Sequence, residues 1–488
     1  MKFRDLPGFP SLFTDFAEGA EPARSFFPCV PDAARLRQRA EYVQDPILPR
    51  QVLCDWLIEQ AAQFKSGAPA LTNIQRLRMP QTVAIVATLR PSLFGGPLCS
   101  FLKVVTAAKL ASWLTGLGLP AIPICWIDGK IQRADLSIGL PSTHGPCRFE
   151  LALRPEAIDG IPGSISDLLQ DTATALETTI QESEVLQLLE SAYEPGLSFV
   201  MAWARLISKI IEPLGIVLFD PQYPGIEIQD LLRKASVERA GINAAWVEQE
   251  RRLQEAGYDF EATGIASSID GPHRAEIEAA QILTPFLMQN LVLPAAACVM
   301  GEYEAGSFAR DQVVFAKLLR KPPVIWPRIS ATLLDERSRK VMSRYSLGLD
   351  ELGSGPESVT SKLMQRGTCA DGLNRLGGLK AKVDVGLSQL AGLVNPEDKL
   401  SACIKSARRR MFYQIEKLRD DATKSELRRM DVIRGRVARL CNNLMPNGEL
   451  QERAVAGFVF FHRYSSLLAL RLYEGVDPWK FEHQLIFL

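Results

Sequence analysis

Thr82-Val83-Ala84-Ile85-Val86-Ala87 is a short run of apolar, largely β-branched side chains, the composition of a buried strand. A turn-forming segment follows, Arg90-Pro91-Ser92-Leu93-Phe94-Gly95-Gly96-Pro97. Leu98 to Leu114 then reads as a helix, with Phe101, Leu102, Val105, Ala108 and Leu110 for a buried face and Lys103 and Lys109 set among them. After Gly116 and Gly118, Ala121 to Ile127 is a second apolar strand. Strand, glycine-bearing loop, helix and strand make a βαβ unit, and such units bind ligands where strand ends meet helix N-termini.

The chain on either side extends the pattern. Asp5 to Pro28 is an irregular lead-in whose Leu12, Phe13, Phe16, Phe26 and Phe27 pack onto the core. Arg50 to Phe64 has Leu53, Trp56, Leu57 and Ile58 at helical spacing. Downstream, Ser166 to Tyr193 and Leu197 to Ile211 read as helices separated by Glu194-Pro195-Gly196. Gly215 to Phe219, Ala295 to Val299 and Pro323 to Trp326 are strand candidates. Asp230 to Ala256, Ala275 to Asn290 and Phe308 to Leu319 are helical, and Gly257 to Pro272 is a loop. Strands alternating with helices predict an α/β fold built on a parallel, doubly wound sheet.

From about residue 357 to 444 the strand signal stops. Leu376, Val383 and Leu390 recur every seven residues, with Leu387 and Val394 between them, as in a coiled-coil seam. Asn395-Pro396-Glu397-Asp398 restarts the helix, with Asn395 as N-cap and Pro396 as its first residue. Met411, Ile415, Leu418 and Ala422, then Met430, Ile433, Val437, Leu440 and Leu444, form the stripe of a second helix. The expected result is an antiparallel α-helical coiled-coil arm of roughly 50 to 60 Å, dimerising through its apolar seam. Pro446-Asn447-Gly448 ends it, Leu450 to Tyr473 is a further helix, and Gln484 to Leu488 is a terminal strand returning to the core. The expected division is 1–158 and 213–356 as two halves of the core, 159–212 as a helical insertion, 357–445 as the arm, and 446–488 as the returning segment.

Charge narrows the function. Fifty-six basic and 56 acidic side chains cancel among 488 residues, so no global basic excess points to nucleic acid. The arm's Arg408, Arg409, Arg410, Arg428 and Arg429 are interleaved with Glu416, Asp420, Asp421 and Glu426, which favours a solvated face over an RNA-binding one. No stretch offers the ~20 uninterrupted apolar residues of a spanning helix, and Met1 to Pro10 lacks the apolar core of a secretory signal. A cytoplasmic location is expected. Nine scattered cysteines without a Cys-x-x-Cys pair suit reduced thiols. His144, His273, His462 and His483 have no ligand spacing, so no metal site is expected.

These residues together resemble the bacillithiol biosynthesis cysteine-adding enzyme family, BshC, over the whole length. The resemblance is carried by Leu6-Pro7 through Phe26-Phe27, Asn73-Ile74-Gln75-Arg76-Leu77-Arg78 and Leu93-Phe94-Gly95-Gly96-Pro97-Leu98. Further on it is carried by Trp326-Pro327-Arg328-Ile329-Ser330, Pro446-Asn447-Gly448-Glu449-Leu450-Gln451-Glu452-Arg453 and His483-Gln484-Leu485-Ile486, with the run ending in Leu-Gln-Glu-Arg the most specific. It implies a Rossmann-type core with helical insertions, a dimerising coiled coil, and a ligase reaction joining cysteine to glucosaminyl malate in the last step of bacillithiol biosynthesis. A nucleotide site (ATP or ADP) is implied as well, with the manner of carboxylate activation left open by the motifs.

Two loops depart from the family. Ala87-Thr88-Leu89-Arg90 stands where the family has Thr-Gly-Gln-Gln, and Lys130-Ile131-Gln132-Arg133 where it has Glu-Asp-His-Asp. Acid and imidazole groups suited to proton transfer are replaced by cations, an aliphatic residue and an amide. The remaining catalytic candidates are Glu304, in Gly301-Glu302-Tyr303-Glu304, and Arg328, which could hold a carboxylate or phosphate bidentately. Gly95, Gly96, Lys103, Arg90 and Ser330 are the binding candidates. Two readings follow: an active cysteine ligase, or a catalytically impaired relative that keeps fold and arm as a ligand- or partner-binding protein.

Overall fold

The computed structural model describes residues 1–27, 30–43, 46, 48–140, 147–151, 160–221, 239–258, 285–317, 321–366, 369–465 and 467–488. Within them nine strands form: β1 (Val83–Leu89), β2 (Ala121–Ile127), β3 (Ser137–Leu140), β4 (Cys147–Glu150), β5 (Val217–Phe219), β6 (Ala295–Met300), β7 (Val324–Pro327), β8 (Ser330–Leu334) and β9 (His483–Phe487). Five make one parallel sheet in the order β5-β2-β1-β6-β7.

The strands read as unbroken apolar runs because the sheet is covered on both faces. Side chains alternate between faces along a strand, and the two faces feed two cores. Val83, Ile85, Ala87 and Leu89 of β1 join one core with the helix Leu98–Gly116 and the helices Phe199–Ile210 and Gly457–Tyr464. Ala84 and Val86 join the other, with the helices Arg50–Gln63 and Glu304–Lys317. Leu98–Gly116 is apolar and long enough to cross a bilayer by composition alone, yet it is a core helix, 67% buried over that window.

The structure revises several expected boundaries. Ser166 to Tyr193 divides into helices Ile165–Ala175 and Glu184–Ala192, and Leu450 to Tyr473 into Gln451–Ala454, Gly457–Tyr464 and Leu468–Gly475. The helix expected from Phe308 starts four residues earlier, at Glu304. The lead-in holds the helix Ser11–Glu18, and a further helix, Ala33–Glu41, follows it. The C-terminal strand pairs in parallel with β8, Ser330 opposite His483. The expected helical stretches 230–238, 275–284 and 318–319 lie outside the described residues, as do Cys29, His144, His273 and the side chains of Cys369, Leu376 and Glu426.

By its contacts the chain forms two compact units, one of residues 1–335 with 449–488 and one of 336–448. Among its described residues the second has helices as its only regular elements and is dominated by Cys369–Gly392 and the 46-residue Lys399–Leu444, which is ~69 Å long at 1.5 Å per residue. Lys380 meets Glu416 at 2.6 Å, and Arg408 pairs with Asp384. As one number rises the other falls, so the helices are antiparallel. The second helix begins at Lys399, with Asp398 rather than Asn395 at the cap, because Asn395 to Asp398 forms a turn. Ile415, Val437, Leu440 and Leu444 are buried, whereas Leu390, Leu393, Leu400 and Leu418 are exposed.

β3 packs against the returning segment so closely that a Cβ on Gly139 would lie 2.1 Å from the Ala454 carbonyl oxygen. Gly139→Ala is therefore expected to cost about 1–3 kcal/mol through overpacking, read as a lowered urea midpoint. Gly116→Ala, with open space at its Cβ, should not lower it.

Candidate functional site

The strand order reverses between β1 and β6, and in open α/β sheets ligands bind outside the carboxyl ends of the strands at such a switch point. The residues just beyond those ends are charged: Arg90 after β1, Asp128 after β2, Asp220 after β5, Glu302 and Glu304 after β6, and Arg328 after β7. Lys103 reaches the same crevice from the helix Leu98–Gly116. Its ammonium donates to the Thr88 carbonyl at 2.7 Å and to both Glu304 oxygens at 2.7 and 2.6 Å. Lys103 is only 5% exposed, so its charge needs a close counter-charge. Glu304 opens its own helix and also accepts the Gly301 N–H at 2.6 Å, a favourable place for a carboxylate. Its side chain, unlike that of Lys103, is partly open to solvent.

Behind this pair lies a second set of charges. Arg328 donates to both Glu302 oxygens at 3.0 Å, to Glu452 Oε1 at 2.8 Å and to the Ile329 carbonyl. The Arg453 guanidinium lies 2.8 Å from Glu302, donates to the Gly8 carbonyl and stacks over Phe9. Gly301 joins the two groups, since a Cβ there would sit 3.6 Å from Glu304 Oε2 and 3.8 Å from Arg328 Nε. Arg328 is therefore a structural hub: its fork is filled by carboxylates of the protein, and the bidentate grip expected for a substrate is already in use. Burial opposes its charge, and the Glu302 and Glu452 carboxylates more than offset this.

Ser330 belongs to the same support. Its Oγ donates to Glu452 at 2.8 Å and lies 2.7 Å from His483 Nδ1, whose Nε2 is 2.9 Å from the Thr332 hydroxyl. Gly95 and Gly96 take positive φ in a tight turn, and their N–H groups bond back to Ser92 and Leu93. The Gly96 carbonyl accepts from Gly457, and Leu98 N–H donates to Val455. The glycine loop is thus bonded to the C-terminal segment through these backbone groups. Among the described residues no group of His, Cys, Asp and Glu is arranged to hold a metal ion.

Arg90 differs from Arg328. Its guanidinium makes no hydrogen bond among the described residues and only approaches Asp128 at 3.8 Å and Asp135 at 3.7 Å. Burial raises the Asp135 carboxyl, against the Gln132 N–H and Arg90. These two aspartates were not singled out in the sequence, although Asp128 is signalled by its place right after β2. Lys130 is exposed and Arg133 pairs with Glu150 at 3.0 Å at the surface. Burial pushes Cys54 and Cys441 up to about 11 and Cys99, Cys125 and Cys298 up to about 12. All five are thiols, not thiolates, at neutral pH.

The family model described as bacillithiol biosynthesis BshC, N-terminal Rossmann-like domain, matches residues 2–269. The chain belongs to the BshC family. A second BshC model, for the C-terminal coiled-coil domain, matches residues 331–488. Three relatives, each named "Putative cysteine ligase BshC", come from Koribacter versatilis (26% identical, covering 99% of this chain and 98% of the relative), Solibacter usitatus (25%, 99% and 98%) and Geobacillus kaustophilus (24%, 99% of each). The structure explains the most specific BshC-like run: Gln451 bonds both backbone groups of Leu333, Glu452 bonds Arg328, Ser330 and Ala331, and Arg453 pairs with Glu302. That run was visible in the sequence, but its partners were not.

Burial lowers His483 to about 4 from an ordinary 6.5, only partly countered by Glu452. Its stabilising contribution is complete above 6.5 and is lost as pH falls toward 4, ~3 kcal/mol in all. Arg328 and its neighbours hold Glu452 below the ordinary 4.5 against the pull of burial, so its contribution is lost only at lower pH. Urea titrations from pH 7 to 4 should therefore show a decline that is flatter between 6.5 and 4 in His483→Gln. Equal slopes in both proteins would exclude this account. Glu452→Gln should cost about 3–5 kcal/mol at pH 7 by leaving Arg328 under-paired in the interior.

Proposed function

We propose that this chain is a ligase that joins cysteine to glucosaminyl malate through an amide bond, the activity implied by its family and by the names of its relatives. The observation that carries the reading to particular atoms is the pairing of buried Lys103 with half-buried Glu304 at the switch point. Lys103 and Arg90, on the two sides of the β1 end, supply positive charge for the carboxylates of such substrates. Glu304, the carboxylate at the switch point that is partly open to solvent, is the proton acceptor for the attacking amine. Arg328 and Ser330 act indirectly, by fixing the loop Gly301–Glu304. Tyr303, 69% exposed beside Glu304, offers an aromatic face to the base of an adenine nucleotide that activates the carboxylate.

The exposed leucines of the arm support a homodimer formed through it; a cytoplasmic location is part of the same proposal. The second reading, a binding protein without turnover, is favoured by one observation: Lys130 and Arg133 point to solvent where the family carries acids and an imidazole.

Protein supplied with cysteine, glucosaminyl malate and ATP is expected to form the amide product, followed by mass spectrometry. Glu304→Gln should lower kcat by about 100-fold or more. No product under any nucleotide condition would leave the binding reading. For the arm, Leu390→Glu with Leu418→Glu is expected to convert a dimer into a monomer in sedimentation velocity while helix content is kept.

A further inference from the structure

We infer that Glu304 is a built-in competitor for the anion site on Lys103: a carboxylate or phosphate oxygen of the incoming ligand displaces it, and binding and unmasking of Glu304 are one event. The inference rests on the site proposed above but not on its chemistry.

Three features of the pair carry this. Lys103 lies behind Glu304, 5% exposed, and its three short contacts, to Thr88 O and the two Glu304 oxygens, match the three protons an ammonium has. A ligand anion can reach it only in place of Glu304. Second, Glu304 stands at the first position of its helix with its side chain 30% exposed, so rotation about its own χ angles carries the carboxylate to water without moving the backbone. Third, its departure frees a second donor, because Gly301 N–H bonds Glu304 Oε2 in the closed arrangement. The incoming oxygen thus finds a cation and the N–H at the end of β6 already oriented, and Lys103 is never left without a counter-charge.

The pair is also fixed from behind. Glu302, two residues before Glu304, is locked by Arg328 and Arg453. The loop that presents Glu304 therefore stays put while the side chain moves, which is what an exchangeable gate requires. A purely structural ion pair predicts the opposite response to neutralisation: loss of Glu304 would disturb the site and weaken binding. A gate predicts a gain, because a competent state that is only partly populated lowers apparent affinity by the unpopulated fraction.

The test is calorimetric titration of the full chain with malate and, separately, with ATP, the first presenting carboxylates and the second phosphates. Glu304→Gln is expected to bind at least one of them about tenfold more tightly than wild type. Lys103→Met is expected to lose that binding, as is the uncharged double variant Lys103→Met/Glu304→Gln, whose thermal transition shows whether the fold is kept. Which probe gains distinguishes the two anion sources. Unchanged or weaker binding of both probes by Glu304→Gln overturns the inference, and so does binding that survives in Lys103→Met. If wild type binds neither probe, Glu304→Gln must reveal binding, and its silence overturns the inference too. Failure to form the amide product while Glu304→Gln gains affinity would sink the proposed reaction and leave the gate standing.

Discussion

One buried carboxylate, that of Glu452, holds the α/β unit together in three dimensions. Its two oxygens take Arg328, the Ser330 hydroxyl and the Ala331 N–H, and so bind the returning segment to the end of β7 and the start of β8. Taking such a charge out of water is unfavourable by several kcal/mol and is tolerable only with partners this well placed. Glu302 then neutralises what remains of Arg328 and reaches Arg453, which in turn fixes Gly8 and Phe9 of the lead-in. Three distant parts of the chain are tied through one continuous set of charges. The loop carrying Glu304 inherits its position from that set.

The sheet was legible in the sequence for a physical reason. A strand covered on both faces is apolar at every position, so the runs at 82–87, 121–127 and 295–299 stood out against a chain that is nearly a quarter charged. β8 was read only as part of a family-like segment, because Ser330 and Thr332 interrupt its apolar character with hydroxyls that serve His483. The short helices of the lead-in and the divisions within 166–193 and 450–473 were missed where turns interrupt an otherwise helical apolar spacing. The long helices of the arm were visible because a repeated seven-residue spacing does not need tertiary context to be noticed.

The candidates for the site could be named from the sequence, but their duties could not. Lys103, Glu304, Arg90, Arg328, Ser330, Gly95 and Gly96 could all be named from local pattern, yet local pattern does not reveal which charges are already satisfied. Arg328 has Glu302 and Glu452 as partners, the second 124 residues away, and no spacing announces that. Arg90, at the end of β1, has the less committed guanidinium. Glycines 95 and 96 were binding candidates by position, and their turn is closed by a segment from the far end of the chain through the Gly457 N–H and the Val455 carbonyl. Two acids, Asp128 and Asp135, restore carboxylates near a loop from which the family's own are missing.

The pairing of β8 with β9 encloses everything between residues 334 and 483. During synthesis the amino-terminal part of the chain emerges first and folds as far as it can, but Arg328 then waits for a counter-charge that is encoded beyond the whole helical unit. The nascent core must remain open at this edge, with a cation and the hydroxyls of Ser330 and Thr332 still hydrated, until the ribosome has passed Arg453. Closure is consequently a late, long-range event, and a chain truncated anywhere in its last forty residues would retain most of its apolar layers yet lack the one segment that completes them.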